Sequence, residues 1–467
     1  MAPTQKENRG VSRKFTSNLK FQIEIIASTT AYNTLITNSN YQIMTESSLT
    51  TFIGDEIEGR RQWSAFVDGG DGFLYGIPSS ARRVVKFDPL DKSFTEIGPD
   101  LGEGREKWLC GVLANTGSIY CAPYCADHIL KIDTIQGTVE TLDDVRLPEI
   151  GTWLSGALAS DNHIYYMPYN ARRIMRLNPD NDSLSSVGDD LGQGWGKYRG
   201  TVVGNDDCLY GIPLWTRRIV KFDPTNPDTA STIGEEARRS FECGNGVLGG
   251  DGYIYAVNYS GQVLQIDITS NNSYTWIGVI RIYDGTGAGW GDPIVGVDKC
   301  IYWPPFNANR VLKFDPETQQ LPSLVGDDFG RGNWKWNGGA IATDGGAIYC
   351  IPSSSAQVLA IDPFKEFSAT LQTNMTLYPD ELGRLFLKDK EEECNETFFE
   401  SSLRKFGGEK VFELIKECLP LDAEWADGAH NNGNLPPFMV AASCENCASS
   451  VIYYLLRRNV NGFLGNI

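Results

Sequence analysis

Histidine is scarce in this sequence: the 467 residues include only His128, His163 and His430. Histidine is the side chain most often used as a general acid or base near neutral pH, so this scarcity limits the catalytic options. The sequence also lacks a Gly-x-Ser-x-Gly nucleophile elbow, a Gly-rich phosphate loop and a His-Glu-x-x-His zinc motif. No catalytic residue is therefore predicted from motifs, and His128 is kept as one candidate considered below.

Long apolar runs are missing as well. No stretch approaches the roughly 18 residues that a membrane-spanning helix needs. The best N-terminal apolar segment, residues 21–26, is short and interrupted by Glu24, so no secretory signal is evident. Basic residues number 41 against 59 acidic ones, and the net charge of −18 argues against a protein that coats nucleic acid. We predict a cytoplasmic or organellar protein with no membrane span and no nucleic-acid partner.

The eleven cysteines form no recognisable framework. Their odd number and scattered positions predict that most are reduced. Cys444 and Cys447 make a single Cys-x-x-Cys pair without a second pair at zinc spacing, so no structural metal is predicted. Residues 178–182 have the composition of a calcium loop but lack its distal Glu, and we interpret them as a turn. The sequence predicts no cofactor, and a divalent cation enters only with the enzyme hypothesis below.

One sequence unit recurs seven times. Its anchor is a tyrosine inside an apolar segment, and successive tyrosines are 45, 45, 45, 45, 47 and 47 residues apart. The seven anchors are Tyr75, Tyr120, Tyr165, Tyr210, Tyr255, Tyr302 and Tyr349. Most units also have an aromatic residue twelve positions earlier, namely Trp63, Trp108, Trp153, Tyr198 and Trp290. Unit seven has Trp336 one position further back, and unit five has Cys243. We expect these aromatic residues to pack between blades.

Each unit contains four short strand signals, which we call A to D. Strand B is an Ile-Tyr-x-Ile-Pro segment, strand C a Val-Leu-Lys-Phe-Asp-Pro segment, and strand D ends in Ile-Gly or Val-Gly. Four strands in about 45 residues is the blade period of a β-propeller. A strand D motif, residues 51–54, precedes the first complete set, and none follows the seventh. The sequence therefore predicts an all-β, seven-bladed propeller of four-stranded blades that is closed by an N-terminal strand.

This organisation divides the chain into three parts. Residues 1–48 are predicted to be a partly disordered tail, residues 49–365 the propeller and residues 366–467 a small α-helical region. Within the last part, residues 433–456 resemble an ankyrin unit, in which a turn is followed by two helices. Because a single ankyrin unit cannot bury its own apolar face, we expect this appendage to pack on the propeller or to dock a partner.

The repeats resemble those of the streptogramin-lyase-like seven-bladed propellers, and in general pattern those of Kelch-like propellers. The resemblance is carried by the aromatic residue, a following Asp-Gly turn and a strand that ends in Ile-Asp-Pro, over roughly residues 51–363. It implies the propeller fold. For a lyase it would also imply a histidine general base and a bound metal, and His128, in a B–C turn, is the one candidate. Propellers support unrelated functions, so the fold does not predict an activity.

One face of the predicted propeller combines acids and arginines. The B–C turns and the D–A connections emerge on this face, and both contain charged residues in most units. The arginines are Arg82, Arg83, Arg172, Arg173, Arg217, Arg218 and Arg310, and the acids include Asp189, Asp190, Asp327 and Asp328. One interpretation is that they pair between neighbouring blades and fix the loops. The other is a binding surface, because the planar guanidinium binds carboxylate or phosphate through two hydrogen bonds.

Three tryptophans, Trp195, Trp215 and Trp334, lie near the same loops and are candidate anchors for a partner. Since the ring is complete and no catalytic constellation is found, we predict a non-enzymatic protein-interaction scaffold that presents this charged and aromatic face. Two alternatives stay open. One is a metal-assisted lyase or lactone hydrolase at the channel mouth that uses His128, and the other is a propeller that binds a small ligand or a glycan. The sequence does not decide the oligomeric state.

Overall fold

A computed structural model of the chain describes residues 49–54, 62–147, 152–269, 273–278, 289–330, 332, 334–342 and 346–365, together with Ser402, Phe406 and Val411. In this part of the chain, 28 strands form seven antiparallel sheets of four strands each. The predicted all-β, seven-bladed propeller is confirmed.

The first four blades follow the chain in order, each as one meander. Blade 1 consists of β2 (Trp63–Asp68), β3 (Leu74–Pro78), β4 (Val84–Phe87) and β5 (Phe94–Ile97). Blade 2 consists of β6 (Val112–Leu113), β7 (Ser118–Cys121), β8 (Leu130–Asp133) and β9 (Thr138–Thr141). Blade 3 consists of β10 (Trp153–Leu158), β11 (Ile164–Pro168), β12 (Ile174–Asn178) and β13 (Ser183–Val187). Blade 4 consists of β14 (Tyr198–Val203), β15 (Leu209–Pro213), β16 (Ile219–Phe222) and β17 (Ala230–Ile233).

The last three blades include the one that joins the two ends of the ring. Blade 5 consists of β18 (Cys243–Leu248), β19 (Ile254–Asn258), β20 (Val263–Asp267) and β21 (Ser273–Ile277). Blade 6 consists of β22 (Ile294–Val295), β23 (Ile301–Trp303), β24 (Val311–Phe314) and β25 (Ser323–Val325). Blade 7 consists of β26 (Trp336–Ile341), β27 (Ile348–Pro352), β28 (Val358–Ile361) and the N-terminal strand β1 (Thr50–Ile53).

The first strands of the blades surround a central channel. In neighbouring blades these strands adjoin, as β10 does β14 and β14 does β18. Because β2 of the first blade also adjoins β26 of the last, the sheets close into a ring. A residue on the inner side of any first strand therefore faces the channel.

In five blades the inner aromatic residue, at or just before the first strand, is a tryptophan that ties the blade to its own B–C turn. The indole Nε1 of Trp108 donates to the carbonyl of His128 at 2.9 Å, and that of Trp153 donates to the carbonyl of Arg173 at 3.2 Å. Trp63, Trp290 and Trp336 make the same contact in their blades. The rings are buried, as predicted, so each adds roughly 1.5–3 kcal/mol of apolar burial to a satisfied donor.

The repeated tyrosine belongs to a polar network at the opposite end of the blade. Tyr210 donates to Asp206 at 2.8 Å, and Lys221 donates to the same carboxylate at 2.7 Å. Blade 2 has no Asp in its A–B turn, and here Tyr120 donates to Asp182 of blade 3 at 2.6 Å. Asp182 lies in the turn between β12 and β13, so the segment interpreted as a turn also links two blades.

The N-terminal strand closes the ring as predicted. Residues of β1 pair with β28 in register from Thr50 opposite Ile361 to Ile53 opposite Val358. The hydroxyl of Thr50 donates to Asp327 at 2.9 Å, which also connects the strand to the loop that follows blade 6. No edge of β28 is left unpaired.

Little of the C-terminal region is among the described residues. Residues 363–365, Ser402, Phe406 and Val411 are helical, and none of the described residues belongs to a helix long and apolar enough to cross a membrane. The ring of Phe406 packs edge-on against Phe364 at 5.1 Å, and Val411 is fully buried. The tail 1–48 and the ankyrin-like residues 433–456 lie outside the described residues, so both domain assignments stay predictions.

Deleting residues 1–54 removes β1, and we expect the protein to lose about 3 kcal/mol or more of unfolding free energy. The loss comes from the exposed edge of β28 and from the lost burial of Leu49 and Ile53. Deleting residues 1–48 keeps the strand and serves as the matched control, with stability close to that of the full chain. Urea denaturation measures both, and equal stability of the two variants would contradict the closure.

Candidate functional site

The charged residues predicted on one face are engaged with the loops of that face. The guanidinium of Arg172 donates through Nε to Asp190 at 2.9 Å, and that of Arg82 donates to Asp100 at the same distance. Each pair joins the B–C turn of a unit to the D–A connection that follows it, rather than two separate blades. Arg217 and Arg218 share Glu236 in the same way.

The other predicted face residues also contact backbone or neighbouring loops. Arg83 and Arg173 donate to the carbonyls of Gly98 and Gly188. The carboxylate of Asp189 accepts from the N–H of Ala230 at 2.8 Å. The carboxylate of Asp327 accepts from the hydroxyl of Thr50. The carboxylate of Asp328 accepts from Asn309 at 2.8 Å, and nearby Arg310 helps to lower the pKa of Asp328. Whether this face also binds a partner stays a prediction.

Buried lysines brace the same loops, which the sequence analysis did not anticipate. Lys107 and Lys197 each immediately precede the inner aromatic residue of their blade. The ammonium of Lys107 donates to the carbonyls of Ala81 at 2.7 Å and Gly102 at 2.9 Å. Lys197 donates to the carbonyl of Ala171 at 2.6 Å. Burial lowers the pKa of Lys107, so these carbonyls offset a real desolvation cost.

The channel opens on this face into a cavity of about 260 Å³. Its walls come from the first strands and its rim from the B–C turns and D–A connections. The wall residues are Trp63, Ser64, Leu109, Leu154, Arg199, Asp292 and Asn337, and the rim residues are Ser79, Glu106, Tyr124, Tyr169, Phe306, Trp334 and Ser353. This volume corresponds to about nine waters at roughly 30 Å³ each, which is enough for a small organic molecule.

Two charged residues break the seven-fold pattern of the wall. One position after the inner aromatic residue, only blade 4 has a charged side chain, Arg199. Two positions after it, only blade 6 has one, Asp292. Both are half-buried because their side chains face the channel. Residues repeated in every blade serve the fold, so these two exceptions mark the wall as a candidate site.

The electrostatic state of this pair follows from burial and from their neighbours. Burial opposes the charge of Arg199, but Asp292, Tyr259 and Tyr169 outweigh that effect and raise the pKa of Arg199. Burial raises the pKa of Asp292, and Arg199 and Asn245 offset only part of this shift. Among the described residues no salt bridge joins Arg199 to Asp292 or to another carboxylate. The two charges therefore act on each other across the cavity without direct contact.

The backbone holds Asp292 close to blade 7. Its N–H donates to the carbonyl of Asn337, and a Cβ at the preceding Gly291 would lie 1.9 Å from that oxygen. The side chain of Asn337 donates through Nδ2 to the carbonyl of Ser64 at 3.2 Å. Its Oδ1 is buried and has no hydrogen-bond partner. This buried acceptor has an unmet hydrogen bond, which a donor that enters the cavity and reaches it would satisfy.

Aromatic rings line the mouth above the charged pair. Tyr169 contacts Tyr124 at 5.7 Å between ring centroids and Trp195 at 5.3 Å. Phe306 and Trp334 are stacked at 6.3 Å. Trp195, the most exposed of these rings at 63%, stands at the outer edge, and Trp334 lines the cavity itself. Trp215 packs edge-on against Tyr259, which is one of the groups that act on Arg199.

The predicted tryptophans lie at or near the cavity, whereas the predicted catalytic candidate His128 does not. Trp334 lines the cavity. Trp195 contacts Tyr169, which lines the cavity, and Trp215 contacts Tyr259, which acts on Arg199. His128 does not line the cavity, and its backbone carbonyl accepts from Trp108. Among the described residues, no three His, Cys, Asp or Glu side chains are grouped as a metal site.

Arg199 and Asp292 were not among the residues predicted from the sequence. They occupy the two positions that follow the inner aromatic residue, whereas the predicted charged residues lie in the loops. Those positions differ between units, and a charged residue there was the available signal. The predicted residues came from the D–A and B–C loops, which are charged in most blades. Charges that recur in most blades are typical of residues that fix loop conformation.

Replacing Asp292 by Asn should raise the thermal midpoint at pH 7. Because burial raises the pKa of Asp292, the folded protein holds this proton more tightly than the unfolded chain does, so the ionised form costs stability. This stability cost disappears as the pH falls through the folded pKa of Asp292 toward the ordinary value of 3.8. The difference in thermal midpoint between Asp292→Asn and the parent protein should therefore narrow as the pH falls.

Asp190→Asn is the control, and it should lower the thermal midpoint at pH 7 where Asp292→Asn raises it. Arg172 holds the pKa of Asp190 below its usual range, so its charge contributes stability at pH 7 that is lost as the pH falls. Thermal unfolding of both variants from pH 7 to pH 4 measures the contrast. A lower midpoint for Asp292→Asn at pH 7 would contradict this description of the wall.

Comparisons with known proteins support the fold. No protein-family model and no curated protein matches the chain. Among solved structures, a streptogramin B lyase is similar with 14% identity and a TM-score of 0.53, over 67% of this chain and 97% of that chain. A catalytically inactive virginiamycin B lyase from Staphylococcus aureus with quinupristin is similar with 14% identity and a TM-score of 0.54, over 67% and 98%.

Similar structures also include an extracellular domain of another kind of protein. The extracellular domain of a hybrid two-component system from B. thetaiotaomicron has 11% identity and a TM-score of 0.50, over 67% of this chain and 42% of that chain. At these identities the similarity concerns the fold alone. The chain is a seven-bladed β-propeller whose structural neighbours include the streptogramin B lyase propellers, and none of these comparisons supports an ankyrin-like segment.

Proposed function

We propose that this propeller binds a small polar ligand in the mouth of its channel. The observation that carries the proposal is the pair Arg199 and Asp292, which lies in the wall of a 260 Å³ cavity without a direct salt bridge. A cavity with a few placed polar groups and aromatic walls is the usual form of a small-molecule site.

Energetics favour a functional role for this pair over a structural one. Ionised groups taken out of water cost several kcal/mol each unless they are paired, and a direct ion pair would recover part of that cost. Arg199 and Asp292 do not form one. Instead, both side chains line the cavity. Charges held apart at a stability cost are common where a ligand completes the pairing.

A protein-interaction scaffold is the second candidate. Its support is the exposure of three tryptophans on the same face, Trp195 at 63%, Trp215 at 41% and Trp334 at 38%. Tryptophan is enriched in the parts of interfaces that contribute most binding energy. Each of these rings nevertheless packs on another aromatic ring near the cavity, Trp195 on Tyr169, Trp215 on Tyr259 and Trp334 on Phe306, which suits a ligand site equally well. Arg199 and Asp292 lie below them, where a flat protein surface does not reach.

The lyase hypothesis has less support. It relied on His128 and nearby acids, and His128 lies outside the cavity lining. The likeness to streptogramin B lyase, at 14% identity, concerns the fold alone. A glycan is one form that such a ligand can take, since aromatic rings also pack against sugars.

Ligand-observed NMR with a panel of amino acids, small carboxylates, amines and monosaccharides tests the proposal. We expect at least one class to bind the full-length protein and to lose about tenfold or more in affinity on Arg199→Ala, because a charged hydrogen bond contributes about 1.5–3 kcal/mol. Trp195→Ser should weaken the same ligand less, since this ring stands at the outer edge.

The matched control is Arg176→Ala in β12, which lies outside the cavity lining and donates to Ser185 at 3.2 Å. It should leave binding unchanged. If no compound of the panel binds, or if binding survives Arg199→Ala intact, the ligand site is not in this cavity. A protein that co-purifies with the parent chain and is lost with Trp195→Ser and Trp215→Ser, but not with Arg199→Ala, would favour the scaffold.

A further inference from the structure

The wall of the cavity has two chemically different halves. Blades 2 and 3 contribute Leu109 and Leu154, with Tyr124 and Tyr169 above them. Blades 4, 6 and 7 contribute Arg199, Asp292 and Asn337. A ligand that fills this space therefore meets an apolar surface on one side and opposite charges on the other.

The charged half offers partners for two different ligand groups. Arg199 has no carboxylate partner among the described residues, and its planar guanidinium suits a carboxylate. Asp292 and the unpartnered Oδ1 of Asn337 are acceptors, and the backbone bond from Asp292 to Asn337 holds them next to each other. Two adjacent acceptors, one of them acidic, suit an ammonium group, which has three donors and no acceptor.

The remaining acid in the lining does not change this assignment. Glu106 lies in the D–A connection at the rim above the apolar half, and it is already engaged in another interaction. The oxygen and nitrogen of Asn337 are also distinguished by their surroundings, because Nδ2 donates to the carbonyl of Ser64. The oxygen is thus the atom that is left for a ligand.

We propose that the ligand is a free α-amino acid with an apolar side chain, whose carboxylate binds Arg199 and whose ammonium binds Asp292 and Asn337. The side chain lies against Leu109 and Leu154 beneath the two tyrosines. The cavity of about 260 Å³ has room for a free amino acid such as leucine, and a longer or aromatic side chain extends between the rings of the mouth. This inference rests on the proposed ligand site and specifies what it binds.

Calorimetric titration with three related compounds tests the assignment. L-phenylalanine has both charges, 3-phenylpropionate lacks the ammonium group and 2-phenylethylamine lacks the carboxylate. We expect L-phenylalanine to bind at least about tenfold more tightly than either analogue, because each analogue leaves one charged wall group unpaired. L-leucine should bind in the same range as L-phenylalanine.

Two conservative variants should show separately which residue binds the carboxylate of the ligand and which binds its ammonium group. Arg199→Gln should weaken L-phenylalanine and 3-phenylpropionate about tenfold and leave 2-phenylethylamine unaffected. Asp292→Asn should weaken L-phenylalanine and 2-phenylethylamine and leave 3-phenylpropionate unaffected or tighter. The crossed pattern assigns each end of the ligand to one residue, which loss of folding cannot imitate. Arg176→Gln is the control, and all three compounds should bind it as they bind the parent.

The outcomes distinguish this inference from the ligand site on which it rests. If L-phenylalanine and L-leucine do not bind while another member of the wider panel binds and depends on Arg199, the amino-acid assignment is overturned and the site stands. If 3-phenylpropionate binds as tightly as L-phenylalanine, the ammonium subsite is wrong. If no compound binds in either experiment, both proposals fail.

Discussion

The ring of seven sheets depends on β1 completing the sheet of blade 7. Without that strand β28 would present an unpaired edge, and the last blade would have three strands where every other blade has four. The closure lets every blade rely on two neighbours, so inner aromatic residues can be buried around the whole ring. It also fixes the width of the channel, since each first strand is held by its own sheet and by the strands beside it.

Within the ring, most units obey the same local rules. In five blades an inner tryptophan donates its indole N–H to the B–C turn. In six blades the repeated tyrosine donates its hydroxyl to an Asp at the other end of the blade. Blade 2 shows that the rule concerns the contact and not the sequence position. Its A–B turn has no Asp, and Asp182 of blade 3 supplies the carboxylate to Tyr120 and Lys131. These contacts hold the blades rigid, which is what a preorganised cavity at their centre requires.

The sequence predicted the fold nearly completely because its signals are local and repeated. The tyrosine spacing, the four strand segments and the extra strand D motif at residues 51–54 each depend on neighbouring residues only. The site was harder to predict, because Arg199 and Asp292 are about ninety residues apart and come together only when the ring closes. The Arg and Asp residues of the loops were easier to see, and Arg82 and Arg172 form salt bridges with acids of their own units. Buried Lys107 gave no sign of its role, since a lysine before a tryptophan usually lies on the surface.

The central claim is that Arg199 and Asp292 are held apart so that a ligand can lie between them. The most direct measurement is a high-resolution crystal structure of the full-length protein, with attention to the channel mouth. We expect the two side chains to stay separate, and ordered density from water or a bound molecule to contact Arg199, Asp292 and Asn337 Oδ1 together. A direct salt bridge between Arg199 and Asp292 that closes the cavity would contradict it.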